Sequence, residues 1–388
     1  MIPNLRVSER AETVPQSPIR EMFNIAQDLE DVINLGIGEP DFDTPEPIRQ
    51  AAKESIDRGY THYTSNAGLA ELRCALAEKL LKENGICVEP KSEIIVTVGA
   101  MGALSLAMLT LIDPGDKVLV PNPGWPNYYA QVAISGGTPV AIRLKEEDDY
   151  MMTAQTLEEN IDSKTRLVVI NSPANPTGSV QTKENLEGIA EIARKYDIIV
   201  LSDESYEKLI YDGMQHYSIA SFKDMKDRTV TIGSFSKTYA MTGWRIGYAG
   251  ANRTIIKHMV KLQESLVAHP CSIAQRAALA ALENSRVSTE MVNEFRNRRD
   301  LIVELLNDVE GIKCSKPKGA FYVFPNISEL NESSYDLAMM LLRKARVVTI
   351  PGIGFGSFGE GHLRLSYAIS RNRIVEAVSR IKNALTRS

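Results

Sequence analysis

One lysine lies among anion-binding residue types in the segment GSFSKTYAMTGWRIGY, residues 233–248. Lys237 directly follows Ser236, with Ser234 three residues before it and Arg245 eight residues after it. A deprotonated lysine amine forms imines with carbonyl compounds, but its ordinary pKa of about 10.4 is too high for this near neutral pH. Because a nearby positive charge lowers the pKa of an amine, we expect Arg245 to keep Lys237 reactive.

The same segment offers hydrogen-bond donors suited to a phosphate. Ser234, Ser236 and Arg245 supply side-chain donors, and a helix predicted to open at residues 99–102 adds backbone N–H groups and a favourable dipole. A phosphate site beside an imine-forming lysine indicates pyridoxal phosphate. Taken alone, Lys237 is more often a solvent-exposed lysine, so this interpretation depends on finding the cofactor's other partners.

Candidates for those partners follow other predicted strands. The cofactor's pyridine nitrogen needs an acid, and Asp203 ends the apolar run DIIVLSD. Asn175 and Tyr206 are available donors for the phenolic oxygen, and Trp125 in PNPGWPNYY offers a ring face for stacking. The alternatives are that Asp203 only caps a helix and that Trp125 is an ordinary core residue.

Composition narrows the class of protein. The chain has 388 residues, a net charge of −5 and no basic tail, which argues against a nucleic-acid binder. No apolar stretch reaches the ~18 residues of a membrane span, and MIPNLRVSER does not resemble a secretory signal, so we expect a cytoplasmic protein. Four scattered cysteines without a C-x-x-C pair indicate reduced thiols, with no metal site predicted (Cys74, Cys87, Cys271, Cys314).

Continuous apolar runs alternating with helical stretches must position these residues. Such runs indicate strands buried on both faces, which predicts an α/β fold with a mostly parallel seven-stranded sheet sandwiched by helices. The predicted strands are 93–98, 117–121, 138–144, 166–171, 197–202, 228–233 and 245–250. Because ligands bind beyond the carboxyl ends of such strands, we expect the segments 99–102, 171–178, 203–206 and 234–237 to converge at one edge.

The two ends of the chain differ from this central pattern. We predict an N-terminal arm over residues 1–45, a large cofactor-binding domain over 46–284 and a smaller α+β domain over 285–388. The arm is expected to pack on the small domain. The segment GFGSFG, 354–359, satisfies G-x-G-x-x-G, but a predicted strand rather than a helix follows it, so we interpret it as a loop near the site and not as a dinucleotide fingerprint.

Nine motifs in order make the chain resemble the class I aminotransferases, which are fold-type I pyridoxal-phosphate enzymes, and most of all their archaeal aspartate and aromatic members. The motifs cover nearly the whole chain: NLGIGEPDFDTP, THYTSNAGLAELR, VTVGAMGAL, LIDPGDKVLVPNPGWPNY, NSPANPTG, LSDESYEKLIYDG, SFSKTYAMTGWRIGY, KPKGAFYVFP and GEGHLRLSYA. The resemblance implies the transferase fold of type I, bound pyridoxal phosphate and a homodimer with shared active sites.

The resemblance also implies roles for individual residues. Lys237 would hold the cofactor as an imine and then move a proton at the substrate Cα, with Asp203 on the pyridine nitrogen and Asn175 and Tyr206 on the phenolic oxygen. Arg364 would clamp the substrate carboxylate as a bidentate pair, helped by Asn175 and the Gly38 N–H. The remaining cofactor-site residues would be Gly99, Ala100, Met101, Trp125 (also toward substrate), Ser234, Ser236, Arg245 and, from the neighbouring subunit, Tyr63.

Two positions depart from the family pattern. Ser205 stands where a bulkier apolar residue is common, and we expect it to face the sheet and leave the chemistry unaffected. Met101 stands where some aspartate-preferring bacterial relatives carry a lysine, which puts one route to binding a side-chain carboxylate in doubt.

The predicted activity is ping-pong exchange of an amino group between an amino acid, aspartate or aromatic, and a 2-oxo acid such as 2-oxoglutarate. A β-lyase of the same superfamily would use the same residues but release pyruvate and ammonia without an acceptor. A ligand-sensing regulator would carry a DNA-binding module, and no basic helix-turn-helix is visible in the arm. We therefore expect amino acids and 2-oxo acids as partners, and neither nucleic acid nor membrane.

Overall fold

The computed structural model describes residues 7–8, 11–12, 14, 18–27, 29–284 and 287–386. Its strands are β1 (Ile33–Asn34), β2 (Ile94–Thr97), β3 (Lys117–Asn122), β4 (Thr138–Arg143), β5 (Thr165–Asn171), β6 (Ile199–Asp203), β7 (Thr229–Ser234), β8 (Gly247–Gly250), β9 (Tyr322–Val323), β10 (Val347–Val348), β11 (Ile350–Pro351) and β12 (Leu363–Ser366). Seven of them form one sheet in the order β2–β8–β7–β6–β5–β3–β4. Only β8 runs antiparallel to its neighbours in that sheet, so the predicted mostly parallel α/β fold is confirmed.

The helices follow the strands in the predicted alternation. They are α1 (Pro18–Gln27), α2 (Glu46–Asp57), α3 (Ala70–Asn84), α4 (Gly99–Leu111), α5 (Asn127–Ser135), α6 (Ala154–Glu158), α7 (Lys183–Lys195), α8 (Phe235–Thr238), α9 (Arg253–Val267), α10 (Ser272–Glu283), α11 (Val287–Asn307), α12 (Ser334–Met340) and α13 (Arg371–Leu385). Within the described ranges, no helix has both the length and the apolar character that crossing a membrane requires.

Alternate strand residues pack against helices on opposite faces of the sheet. Val118 and Val120 of β3 join one core with α4, α5 and α9, whereas Leu119 joins a second core with α7. At the other end of the sheet, Ile94 and Val96 pack with α2, α3 and α10. Burial on both faces is why these strands read as continuous apolar runs in the sequence.

The C-terminal region carries a small antiparallel sheet, β11–β12–β9, on which α11 and α12 pack, while α13 packs on α11 and β10. Strand β1 pairs in parallel with β10, with Ile33 opposite Val347, and α1 packs on β10 and β11. The GFGSFG segment lies in two 3₁₀ turns, Gly352–Phe355 and Ser357–Gly359, between β11 and β12. No helix follows it, which agrees with the loop interpretation.

The carboxyl ends of the central strands meet at one edge of the sheet. Asn171, the last residue of β5, lies opposite Asp203, the last of β6. Ser234 at the end of β7 lies opposite Gly247 of β8, which in turn pairs with Thr97 just before α4 begins. The predicted convergence of these strand ends is therefore present, because parallel neighbours must end on the same side.

Candidate functional site

A cavity of about 250 Å³ opens at this edge between the sheet and the C-terminal region. Twelve predicted site residues line it: Gly38, Ala100, Met101, Trp125, Asn175, Asp203, Tyr206, Ser234, Ser236, Lys237, Arg245 and Arg364. Four further residues line it without having been assigned a role from the sequence: Tyr128, Asn171, Ser205 and Tyr322. Gly99 lies just behind the wall, and Tyr63 lies elsewhere on the surface.

The lysine is presented by the short helix α8, directly after β7. Ser234 caps this helix by accepting a hydrogen bond from the Ser236 N–H at 3.1 Å. Lys237 is half-buried, and its Nζ donates to the Gly38 carbonyl at 2.6 Å. The end of β7 and the Ser234 cap therefore place the Lys237 amine at the cavity.

The pKa of Lys237 is lowered to about 8, and burial of the amine is the largest cause. The charges of Arg245 and Arg364 lower this pKa further, while Glu39 opposes them. The expected effect of Arg245 on this pKa is therefore the smaller one, and burial dominates because desolvation penalises the charged amine.

An anion cradle lies beside the lysine, at the start of α4. Val98 supplies no side-chain cap there, so first-turn N–H groups of this 13-residue helix lack a capping side chain. Gly99 has φ +66°, and a Cβ there would lie 2.7 Å from Nη2 of Arg245. Glycine thus lets the guanidinium lie over the helix start, and together they form a phosphate-sized donor set.

Asp203 is 3% exposed, and its carboxylate accepts three hydrogen bonds. Tyr128 donates its hydroxyl to Oδ2 at 2.8 Å, and Ser205 donates both its N–H, at 3.1 Å, and its hydroxyl, at 2.6 Å, to Oδ1. Burial raises the pKa of Asp203, and the hydrogen bonds from Ser205 and Tyr128 oppose this. The expectation that Ser205 faces the sheet away from the chemistry is wrong, because its side chain lines the cavity and contacts the carboxylate.

Arg364 on β12 lines the cavity from the C-terminal region and is 1% exposed. Its Nη1 donates to Asn175 Oδ1 at 3.0 Å and its Nη2 to the Gly36 carbonyl. Its Nε is buried without a partner. The guanidinium lies over the ring faces of Tyr322 and Phe355, 4.5 and 5.0 Å from their centroids. A buried cation with no described carboxylate partner is a binding site for an external anion.

Aromatic side chains complete the walls. The hydroxyls of Tyr206 and Tyr322 are hydrogen-bonded at 2.9 Å, and burial raises the pKa of both. Trp125 packs edge-to-face on Tyr128, with the ring centroids 5.4 Å apart. Tyr63, by contrast, is 91% exposed and outside the cavity, so within one chain it does not join the site.

A polar cluster that is only partly exposed follows the end of β6. Glu204, Glu207 and His216 offer ligand atoms that all lie within 4.8 Å of one another. Lys79 pairs with Glu207, and Asn84 donates to Glu204 at 3.0 Å and to Glu207 at 2.8 Å. Burial alone raises the pKa of Glu207, but the charges of Lys79 and His216 outweigh it and hold that pKa at about 2. Protein donors thus occupy these carboxylates, and the absence of a metal stays a prediction.

The pattern of the family described as "Aminotransferase class I and II" matches residues 30–381. The chain belongs to this family. It is 43% identical over 384 residues to aromatic-amino-acid aminotransferase 2 of Thermococcus litoralis and 44% identical to the aspartate aminotransferase of Pyrococcus abyssi, with 98% of each chain covered. The crystal structure of an aromatic aminotransferase from Pyrococcus horikoshii matches with a TM-score of 0.90 and 44% identity, over 95% of this chain and 99% of that one.

The protein is therefore a pyridoxal-phosphate-dependent aminotransferase of fold type I, which exchanges an amino group between an amino acid and a 2-oxo acid. The residues that line the cavity fit pyridoxal phosphate independently of these similarities. A lysine with a pKa of about 8 suits an aldehyde, a glycine makes room for Arg245 at a helix start, and the buried carboxylate of Asp203 suits a pyridine nitrogen. The unpartnered Nε of Arg364 suits a substrate carboxylate.

Four cavity residues of the aminotransferase had not been assigned roles. Tyr128 on α5 and Tyr322 on β9 lie inside the motifs PNPGWPNYY and KPKGAFYVFP, but neither motif tells which way its tyrosine points. Asn171 ends a strand at the predicted edge, and that position alone was a usable signal. Ser205 lines the cavity and contacts Asp203, whereas its position in the sequence predicts a side chain that faces the sheet.

Proposed function

We propose that this aminotransferase transfers the amino group of aspartate or an aromatic amino acid to a 2-oxo acid such as 2-oxoglutarate. Aspartate and aromatic-amino-acid aminotransferases are both among its relatives. The observation that carries the proposal is the pair formed by Lys237 and Arg364 across one cavity. In this proposal the Lys237 amine lies at the reacting carbon and the Arg364 guanidinium binds the α-carboxylate. The substrate is therefore held at its carboxylate while its Cα lies beside Lys237.

We assign the cofactor's phosphate to donors around the start of α4 and α8, namely Gly99, Ala100, Met101, Ser234, Ser236 and Arg245. Asp203 accepts from the ring nitrogen, Asn175 and Tyr206 donate to the phenolic oxygen, and Trp125 covers the ring. When bound, pyridoxal phosphate supplies a reactive carbonyl carbon and a ring that accepts electrons.

Lys237 is the acid–base group in this proposal. Its Nζ takes the proton from the substrate Cα and returns one to the carbon that receives the amino group. A pKa of about 8 suits this work, because an efficient general base titrates near the working pH. Arg364 and the Gly38 N–H hold the carboxylate, which orients the Cα proton toward Nζ.

Side-chain selectivity is the finer part of the proposal. Once Lys237, Arg245 and Arg364 are assigned, the cavity lining contains no further cationic side chain from the described chain. Met101 and Trp125 line the cavity and are uncharged. An aromatic side chain is compatible with these walls, whereas an aspartate side chain needs a cation from elsewhere, such as a second subunit.

We further propose a cytoplasmic homodimer in which Tyr63 reaches the cofactor phosphate of the neighbouring subunit. Its 91% exposure leaves the hydroxyl free to do so. Residues 1–45 form the arm, 46–284 the large domain and 285–388 the small domain in this proposal. Support for the arm's position comes from the pairing of β1 with β10.

Borohydride reduction of the purified holoenzyme followed by peptide mapping tests the assignment. The cofactor should be fixed to Lys237, and Lys237→Ala should retain the cofactor non-covalently but lose turnover by orders of magnitude. Lys183→Ala, which removes an exposed lysine of α7, serves as the control. Labelling of another lysine would refute the assignment.

A half-reaction screen tests the substrates. The aldehyde form is mixed with each amino acid, and loss of the cofactor's absorbance band is followed. Aspartate and the aromatic amino acids should react fastest, and turnover should require a 2-oxo acid. Release of pyruvate and ammonia without an acceptor would instead favour the β-lyase.

A further inference from the structure

The Asp203 carboxylate accepts a hydrogen bond from the hydroxyl of Ser205. This hydroxyl lies 2.6 Å from Oδ1, the shortest of three hydrogen bonds that the carboxylate accepts. Asp203, Ser205 and Tyr128 are 3%, 8% and 1% exposed, so water does not substitute readily for these donors. An apolar side chain at position 205 would supply only the backbone N–H.

The Ser205 hydroxyl fills one of the acceptor sites of the Asp203 carboxylate. An ionised carboxylate has about four lone-pair sites. Ser205 occupies two of them on Oδ1, through its N–H and its hydroxyl, and Tyr128 occupies one on Oδ2. The remaining site therefore belongs to Oδ2. Without the Ser205 hydroxyl, Oδ1 regains a free site and the carboxylate loses one of the contacts that fix its rotation.

The same hydrogen bond acts on the charge of the carboxylate. Burial raises the pKa of Asp203, which favours a protonated acid, and the neighbouring charge of Glu204 acts in the same direction. Hydrogen bonds from Ser205 and Tyr128 lower this pKa, because donors favour the ionised form. A protonated Asp203 would carry an O–H donor and would lose the negative charge that favours a protonated ring nitrogen.

We propose that Ser205 is a positioning residue whose hydroxyl holds the Asp203 carboxylate in a rotation that leaves one acceptor site on Oδ2 for the cofactor's ring nitrogen. This inference rests on the proposed role of Asp203. It gives the Ser205 hydroxyl a part in cofactor binding in this chain.

The matched variants Ser205→Thr and Ser205→Val test the proposal, since they have nearly the same shape and differ in the hydroxyl. The dissociation constant of the full chain is measured for pyridoxal phosphate and for 1-deazapyridoxal phosphate, in which a CH replaces the ring nitrogen. For pyridoxal phosphate, valine should raise the dissociation constant about tenfold relative to threonine. This is the loss typical of one hydrogen bond to a charged group, here the bond from the ring nitrogen to a misplaced Asp203 carboxylate. For the deaza analogue the two variants should bind equally.

Each other outcome has a definite meaning. Equal weakening by valine toward both cofactors, or no difference between threonine and valine, would overturn the role of Ser205. Asp203→Asn is measured alongside: if it weakens both cofactors equally, the proposed role of Asp203 itself fails, and with it this inference. Ser334→Ala removes a buried hydroxyl that donates to Glu360 at 2.7 Å in the C-terminal region, and it should leave both constants unchanged.

Discussion

Replacing Arg364 by leucine should separate recognition of the substrate carboxylate from the rest of catalysis. The guanidinium has five N–H donors. One hydrogen bond goes to Asn175 Oδ1 and one to the Gly36 carbonyl, which leaves three N–H groups without a partner among the described residues. Because the side chain is 1% exposed, a substrate carboxylate meets these donors with little competition from water.

The expected loss follows from two hydrogen bonds between charged groups. Each is worth about 1.5–3 kcal/mol, so a bidentate pair contributes about 3–6 kcal/mol. At about 1.4 kcal/mol per factor of ten, Arg364→Leu should lower kcat/KM for an amino acid by about 10²- to 10⁴-fold. Arg364→Lys keeps the charge but loses the planar fork, and it should fall between wild type and the leucine variant.

The assay compares two donors in the half-reaction: an amino acid and the amine that lacks its α-carboxylate. The leucine variant should lose its rate with the amino acid and keep the slow rate of wild type with the amine. Thermal unfolding and cofactor content control for the unpaired Asn175 and Gly36 groups that leucine leaves behind. An equal loss with both donors would refute the reasoning, since Arg364 would then act on the site's structure or on the cofactor.

Three further predictions concern packing, charge and pH. Gly38→Ala places a Cβ 2.0 Å from the Tyr322 hydroxyl oxygen, so it should cost about 1–3 kcal/mol in thermal unfolding; an unchanged melting temperature would contradict this. Lys79→Met leaves the Glu207 side chain, which is 11% exposed, without its lysine partner and should cost about 3–5 kcal/mol in urea unfolding. The pKa of Glu207 lies at about 2, below its ordinary value, so its ionised form stabilises the fold above about pH 4.5 and this stabilisation is lost as the pH falls toward 2. Lys79→Met should therefore make the free energy of unfolding depend less steeply on pH in that range. In protein stripped of cofactor, Lys237 should react with amine-directed reagents with a midpoint near pH 8, and a midpoint near 10 would show that burial does not act on it.

Most of the architecture could be predicted because it depends on local and periodic features. The seven apolar runs became the seven strands of the main sheet, since burial on both faces leaves a continuous pattern. The strand ends then had to share one edge, which brought Asp203, Ser234 and Asn175 toward Lys237. Arg364 was assigned through the resemblance alone, because nothing in its local pattern says that a distant strand faces the cavity.

Only the tertiary structure decided in which direction side chains point and how deeply they are buried. Ser205 follows Asp203 by two residues, and whether its hydroxyl turns toward the carboxylate depends on the turn that the chain takes there. The pKa of Lys237 depends chiefly on desolvation by segments far away in the chain, and not mainly on the nearby arginine. Tyr322 enters the site because the C-terminal region packs over the sheet edge. Sequence spacing records which residues end a strand, whereas contact between separate segments depends on how they pack in three dimensions.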